Sequence, residues 1–197
     1  MHNSVKNLIY IEDLIKSKAN HDKLSKIIAV SKTFSIENIL PLIEHGHLDY
    51  GENKVQEALD KWSDIKNQNN SIKLHLIGKL QTNKVKFALR IFDYIHSVDS
   101  PKLADILSKS QNNIGKSIKF FIQVNVGNEL QKSGIPFNEV DSFYSYCSKE
   151  KNMNILGLMA IPPNDNNADK YFKSLSELNA SLGLKGLSIG MSSDYMT

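Results

Sequence analysis

The chain has 197 residues, long enough for one domain that buries a real core. Its 41% hydrophobic and 23% charged residues are an ordinary globular mixture and exclude a disordered, fibrous or membrane chain. The 24 basic and 21 acidic residues, net +3, are interleaved along the chain, and Arg90 is the only arginine, so the basic stripe and guanidinium forks of a nucleic-acid protein are missing.

Met1 to Tyr10 lacks the pattern of a secretory signal, no stretch approaches a membrane span, and the single Cys147 has no partner for an internal disulfide. The expected setting is a reducing cytoplasm. A helix-like segment around Leu8 to Ile15 comes first. Short apolar runs then alternate with amphipathic stretches, the pattern of repeated β-α units. The strands are expected at Ile27 to Val30, Leu48 to Tyr50, Ile72 to Ile77, Tyr94 to Val98, Ile118 to Val126, Ile155 to Ile161 and Leu187 to Ile189.

Between the strands, Ile36, Ile39, Leu40 and Ile43 share one helical face, opened by Ser35 as a cap and closed by Gly46. Val85, Ala88, Leu89 and Phe92 repeat that spacing, and Ser100-Pro101 opens the next helix with a capping serine and a first-turn proline. Val140, Phe143, Tyr144 and Cys147 form another face, which makes Cys147 a buried helix residue rather than a nucleophile. Ala168, Tyr171, Phe172 and Leu175 form the last.

Repeated β-α units build a doubly wound sheet or a barrel. No Gly-x-Gly-x-x-Gly turn follows the first strand, so a TIM-type (β/α) barrel is expected. Barrels of this type close with about eight strands, whereas seven are counted here.

Loops at the C-terminal strand ends share one mouth, and the polar residues gather there. Ser31-Lys32-Thr33 follows strand one and Gly51-Glu52-Asn53 strand two; Ser97-Val98-Asp99 ends strand four, and Gly190-Met191-Ser192-Ser193-Asp194 follows strand seven. Lys32 continues an apolar run, so its ammonium is drawn toward a poorly solvated mouth where burial frees the amine to attack an aldehyde; the plain alternative is a lysine reaching out to solvent. Gly190 to Ser193 offers backbone N–H groups and hydroxyls suited to a phosphate, an ordinary serine cap being the alternative. His75 alternates with Leu74 and Leu76 and reads as structural. His45 and His47 flank Gly46 without further ligands, so no metal is expected.

Taken together, Ala29-Val30-Ser31-Lys32-Thr33, Gly51-Glu52-Asn53 with Val55-Gln56-Glu57, His75-Leu76-Ile77-Gly78 with Leu80-Gln81 and Asn83-Lys84, Ser97-Val98-Asp99, Lys132-Ser133-Gly134, Gly157 to Pro163 and Leu187 to Asp194 resemble the pyridoxal phosphate homeostasis proteins over nearly the whole chain. The resemblance implies a barrel like the N-terminal domain of alanine racemase, with pyridoxal 5'-phosphate held as a Schiff base on Lys32. It also implies Asn53 beside the ring, and Met191, Ser192 and Ser193 near the phosphate. Lys132 falls in the family's Lys-Ser-Gly segment and receives no role.

The implied function is intracellular homeostasis of pyridoxal phosphate without enzymatic turnover. The implied partners are the cofactor and pyridoxal phosphate-dependent apoenzymes, with the chain a monomer that engages neither nucleic acid nor membrane. The rival is a pyridoxal phosphate-dependent amino-acid racemase, for which the chain holds no second domain. Tyr50, Leu74 and Ile189 stand where the family often has phenylalanine, tryptophan and methionine. The family continues past Thr197 with a helix and an eighth strand bearing Arg-Ile-Gly-Thr, so the chain is expected to be a C-terminally truncated single barrel domain.

Overall fold

The computed structural model describes residues 1–18, 25–127, 129, 133–163, 165 and 167–190. Helix α1 (Asn3–Lys18) precedes β1 (Ala29–Val30), and α2 (Ile36–Glu44), β2 (Asp49–Glu52), α3 (Val55–Gln68) and β3 (Lys73–Leu76) follow. A 3₁₀ turn at Thr82–Lys84 leads into α4 (Val85–Ile91), β4 (Tyr94–Val98), α5 (Pro101–Gln111) and β5 (Lys119–Asn125). The short β6 (Ile135–Pro136), α6 (Val140–Ser145), β7 (Ile155–Met159), α7 (Ala168–Ser181) and β8 (Gly186–Ser188) complete the described chain.

All pairings are parallel, in the order β1-β2-β3-β4-β5-β7-β8, with β6 beside β5. Strands β4 and β8 are three spacings apart along this order, about 14 Å in a flat sheet. Nevertheless the His96 ring on β4 and the Ser188 hydroxyl on β8 are hydrogen-bonded at 2.8 Å. The sheet is therefore curled into a half-barrel with its helices outside, the expected barrel architecture in incomplete form.

Side chains alternate across each strand. On β3 and β5, Leu74, Leu76, Phe120 and Ile122 point outward into the layer beneath the helices, where they join Trp62, Leu89, Leu103 and Leu107 in the main core. Burying each large side chain in this layer contributes about 1.5–3 kcal/mol. Cys147 lies in it, fully buried in the π-helical turn Tyr146–Glu150 that extends α6, and burial pushes its thiol up to about 12. Ser100 caps α5 as expected, accepting from the Leu103 N–H. Ser35 stands at the start of α2 but caps nothing, taking a bond from the Asn38 amide instead, and Leu40 of that helix is exposed.

The seven expected strands form the main order, and two details are added. A two-residue strand, β6, pairs with β5 off that order among the described residues; two residues, one of them a proline, leave no periodic signal. Strand β2 runs on through Gly51 and Glu52, which the sequence had placed in the mouth. Glu52 is fully buried on the helix side because Trp62 and Lys61 of α3 bind its carboxylate.

Candidate functional site

Strand β1 leaves the sheet at Val30, paired with Gly51, and the Ser31 N–H extends the ladder with a 2.9 Å bond to the Gly51 carbonyl. The chain then turns, with Phe34 N–H on the Ser31 carbonyl at 3.3 Å and Thr33 in the left-handed region at φ +66. Contrary to the expected poorly solvated mouth, Lys32 sits at this turn with an exposed side chain, because β1 ends at Val30 and the chain turns outward, and its ammonium bonds no described residue. Asn53, two residues beyond Gly51 as Lys32 is two beyond Val30, leaves the neighbouring strand half-buried, its side-chain amide also without a bond.

Gly78 explains the close approach of the next strand end. A Cβ there would lie 2.3 Å from the Asn53 carbonyl oxygen and 2.7 Å from its Cα, so only glycine lets the segment after β3 rest against Asn53. Gly134 does the same beside β5: its φ is +127 and a Cβ would meet the Asn125 nitrogen at 2.7 Å. Asn125 itself closes a loop, exchanging bonds of 2.9 and 3.2 Å with the Glu129 backbone. A groove of about 660 Å³ opens at this end of the sheet, lined by Lys79, Gln81, Asn83, Asp99, Ser133 and neighbours. It gathers motif residues from three segments but does not include Lys32 or Asn53.

Of the expected cofactor residues, Lys32 and Asn53 thus leave adjacent strands side by side. Gly190 follows β8 with φ +99, at the C-terminal end of a strand parallel to the others. Met191, Ser192 and Ser193 lie outside the described residues, as does Lys132.

Behind the Lys32 turn stands a buried polar cluster. Glu52 Oε1 accepts from Ser31 Oγ at 2.8 Å, Trp62 Nε1 at 2.9 Å and Lys61 Nζ at 2.9 Å, while Oε2 has no partner. Lys61 also donates to the Ser31 carbonyl at 2.8 Å and to Glu57 Oε1 at 3.1 Å. Glu57 Oε1 accepts the Thr33 N–H at 2.6 Å, and this bond, aided by Lys61, holds its carboxyl below the ordinary range.

Inside the half-barrel a second polar set forms a line. Asp49 Oδ1 lies 3.0 Å from His75 Nε2, His75 Nδ1 lies 2.9 Å from His96 Nε2, and His96 Nδ1 lies 2.8 Å from Ser188 Oγ. Burial, with His75 beside it, pushes His96 down to about 3, so its ring is neutral. Asp49 is held below the usual carboxylate range chiefly by the bond from His75. His75 donates to the Asp49 carboxylate, and the line continues through the neutral His96 to the Ser188 hydroxyl. The rings stack flat on Tyr94 and Phe121, at 4.2 and 4.4 Å. A neutral ring of such low basicity makes His96 a poor base for activating Ser188. His75, read from sequence as structural, is buried and bonded at both ring nitrogens; His96 was passed over, because it pairs with His75 only once the β3/β4 register is known.

No helix among the described residues is long and apolar enough to cross a membrane, and none of their His, Cys, Asp and Glu side chains group in threes to hold a metal.

Comparison with known proteins agrees with this geometry. The family model for the N-terminal domain of alanine racemase matches residues 12–197. Alanine racemase from Corynebacterium glutamicum shares the fold alone, with a TM-score of 0.70 at 19% identity over 98% of this chain and 56% of that one. The class is a parallel half-barrel of the alanine racemase N-terminal type with an unpaired lysine at its rim. A pyridoxal phosphate homeostasis protein of Aquifex aeolicus is 37% identical over 88% of this chain and 79% of its own length. PipY of Synechococcus elongatus, solved with PLP bound, superposes with a TM-score of 0.80 at 32% identity, covering 94% of this chain and 91% of its own. The chain belongs to the pyridoxal phosphate homeostasis protein family.

Proposed function

We propose that this protein binds pyridoxal 5'-phosphate on Lys32 and serves intracellular homeostasis of that cofactor without turning over a substrate. The observation that carries the reading is the Lys32 amine, unpaired at the C-terminal end of β1, beside the unused amide of Asn53. These residues fit the group: when bound, pyridoxal phosphate supplies an aldehyde and a ring with polar atoms, which suit a free amine and a free amide. Lys32 nitrogen would bond to the aldehyde carbon, with the aldehyde oxygen leaving as water. Asn53, fixed by Gly78 at its back, would orient the ring, and Met191, Ser192 and Ser193 are proposed for the phosphate. The names of the relatives and the PLP in PipY support the same reading.

A carrier rather than a racemase is favoured by what surrounds Lys32. Abstracting a proton from either face of a substrate needs two positioned bases. Next to Lys32 the described strand ends add an amide at Asn53, while Glu57 is tied to the Thr33 N–H. The proposed setting is the cytoplasm, with the protein a monomer handing its cofactor to dependent apoenzymes.

The test is the absorbance spectrum of the protein with pyridoxal phosphate before and after borohydride, with the reduced adduct mapped by mass spectrometry. The adduct should sit on Lys32 and vanish in Lys32→Ala, whose stability should stay within about 0.5 kcal/mol of wild type, as for an exposed, unpartnered side chain. An adduct on another lysine overturns the assignment. Conversion of L-alanine to D-alanine that disappears in Lys32→Ala overturns the carrier reading in favour of the racemase.

A further inference from the structure

We infer that Glu57 and Lys61 of α3 are positioning residues for the Lys32 amine, an inference that rests on Lys32 being the reactive lysine. The two side chains grip the backbone immediately before and after it. Lys61 Nζ donates to the Ser31 carbonyl at 2.8 Å, and Glu57 Oε1 accepts the Thr33 N–H at 2.6 Å. Ser31 is also held by the Gly51 ladder and by Glu52, and the Phe34 N–H closes the turn on the Ser31 carbonyl at 3.3 Å. Residues 32 to 35 are all exposed, so packing does not define the turn, and Thr33 holds φ +66, a region that costs a β-branched residue about 1–3 kcal/mol. A strained, solvated turn keeps one conformation only when its surroundings over-determine it, and here the two α3 side chains supply the restraint on the Thr33 side and share it on the Ser31 side.

Their own placement is fixed from below. Glu52, fully buried, accepts from Lys61 at 2.9 Å, from the Trp62 indole at 2.9 Å and from the Ser31 hydroxyl at 2.8 Å. The chain of restraint therefore runs from the core through Glu52 to Lys61, on to Glu57, and out to the backbone on either side of Lys32.

The same contacts tell Lys32 apart from its neighbour Lys61. An ammonium has three N–H donors and no acceptor. Lys61 spends all three, on the Ser31 carbonyl, Glu52 and Glu57, which holds its nitrogen in the scaffold and turned away from any ligand. Lys32 spends none. Lys61 is thus the scaffold of the turn and Lys32 its reactive end.

The test compares the full chain with Glu57→Ala, Glu57→Gln, Lys61→Met and Lys61→Arg. Without ligand, hydrogen exchange at the Thr33 amide should quicken about tenfold or more in Glu57→Ala, a charged hydrogen bond being lost, and recover in Glu57→Gln, which keeps an acceptor oxygen. With pyridoxal phosphate itself as probe, Glu57→Ala and Lys61→Met should each weaken binding by about tenfold. They should also shift the pH midpoint of the bound-state absorbance band, while Glu57→Gln and Lys61→Arg restore most of the binding. A general loss of folding would not give that rescue pattern, and the melting curve of Glu57→Gln keeps the comparison valid if Glu57→Ala unfolds. Wild-type affinity and an unmoved band in Glu57→Ala, with the adduct still mapped to Lys32, overturn the positioning role alone. A wild-type adduct mapped elsewhere overturns the Lys32 reading first, whatever the α3 variants do.

Discussion

Strand β2 separates two polar networks and shows two ways of burying charge. On its outer side Lys61 bridges Glu52 and Glu57, so opposite charges pair and all three ammonium donors are spent. On its inner side Asp49 begins a line of hydrogen-bonded rings that runs through His75 to the neutral His96 and ends at Ser188. The outer network makes full use of a low dielectric, because a buried charge is tolerated when a partner and further hydrogen bonds surround it. The inner line avoids the cost by keeping His96 uncharged, at the price of a dependence on pH. One network holds a backbone turn at the rim; the other ties β2 to β8 across the hollow of the half-barrel.

The largest effect that would sharpen this contrast belongs to the outer network. Glu52→Gln removes the charge that faces Lys61 and puts an amide donor where the unpartnered Oε2 now lies, and should cost about 3 kcal/mol in urea unfolding. A loss under about 1 kcal/mol would mean that Glu57 alone satisfies Lys61, and that the two networks are less different than their geometry implies.

The inner line answers to pH instead. Unfolded, the His96 ring takes up a proton near 6.5, but folded it does so only near 3, so between those values the unfolded state binds more protons. The stability contributed by neutral His96 is complete above about 6.5 and drains away as the pH falls toward 3. The slope is up to about 1.4 kcal/mol per pH unit. Asp49, also lowered, adds loss in the same direction at the acid end. Replacing His96 with phenylalanine keeps the stack on Phe121 and should flatten the slope between pH 6 and 4 in denaturant titrations; an unchanged slope would show that His96 is not its source.

The smallest expected change is at the far end of that line. Ser188→Ala removes one neutral bond to His96 and should cost about 1 kcal/mol without altering the pH slope. A cost above that of Glu52→Gln would reverse the ranking of the two networks.

The sequence disclosed the frame of the molecule better than its wiring. Apolar runs and helical spacing place seven strands in their observed order, because parallel strands buried on one face and helices amphipathic against them both leave periodic marks. Lys32 and Asn53 were legible as strand-end residues for the same reason, and the family resemblance told them apart from other polar residues at the rim. Glu52 was not. A buried glutamate and a solvated one look alike in a sequence, and the partners that bury this one, Lys61 and Trp62, sit nine and ten residues further on in another element. His96 escaped because its meaning depends on register with β3, and β6 because two residues carry no period. Gly78 and Gly134 were visible as motif letters, yet their reason, the backbone atoms that press against them, exists only in three dimensions.

Cys147 gives the buried layer under the helices a practical use. The chain has a single cysteine, and its thiol is sealed in that layer and held far from ionisation near neutral pH. Alkylating reagents act on the thiolate, so the folded molecule is silent to them. Each labelling event then counts an opening of the α6 region, which makes the one sulfhydryl of the protein a built-in clock for its excursions from the native state.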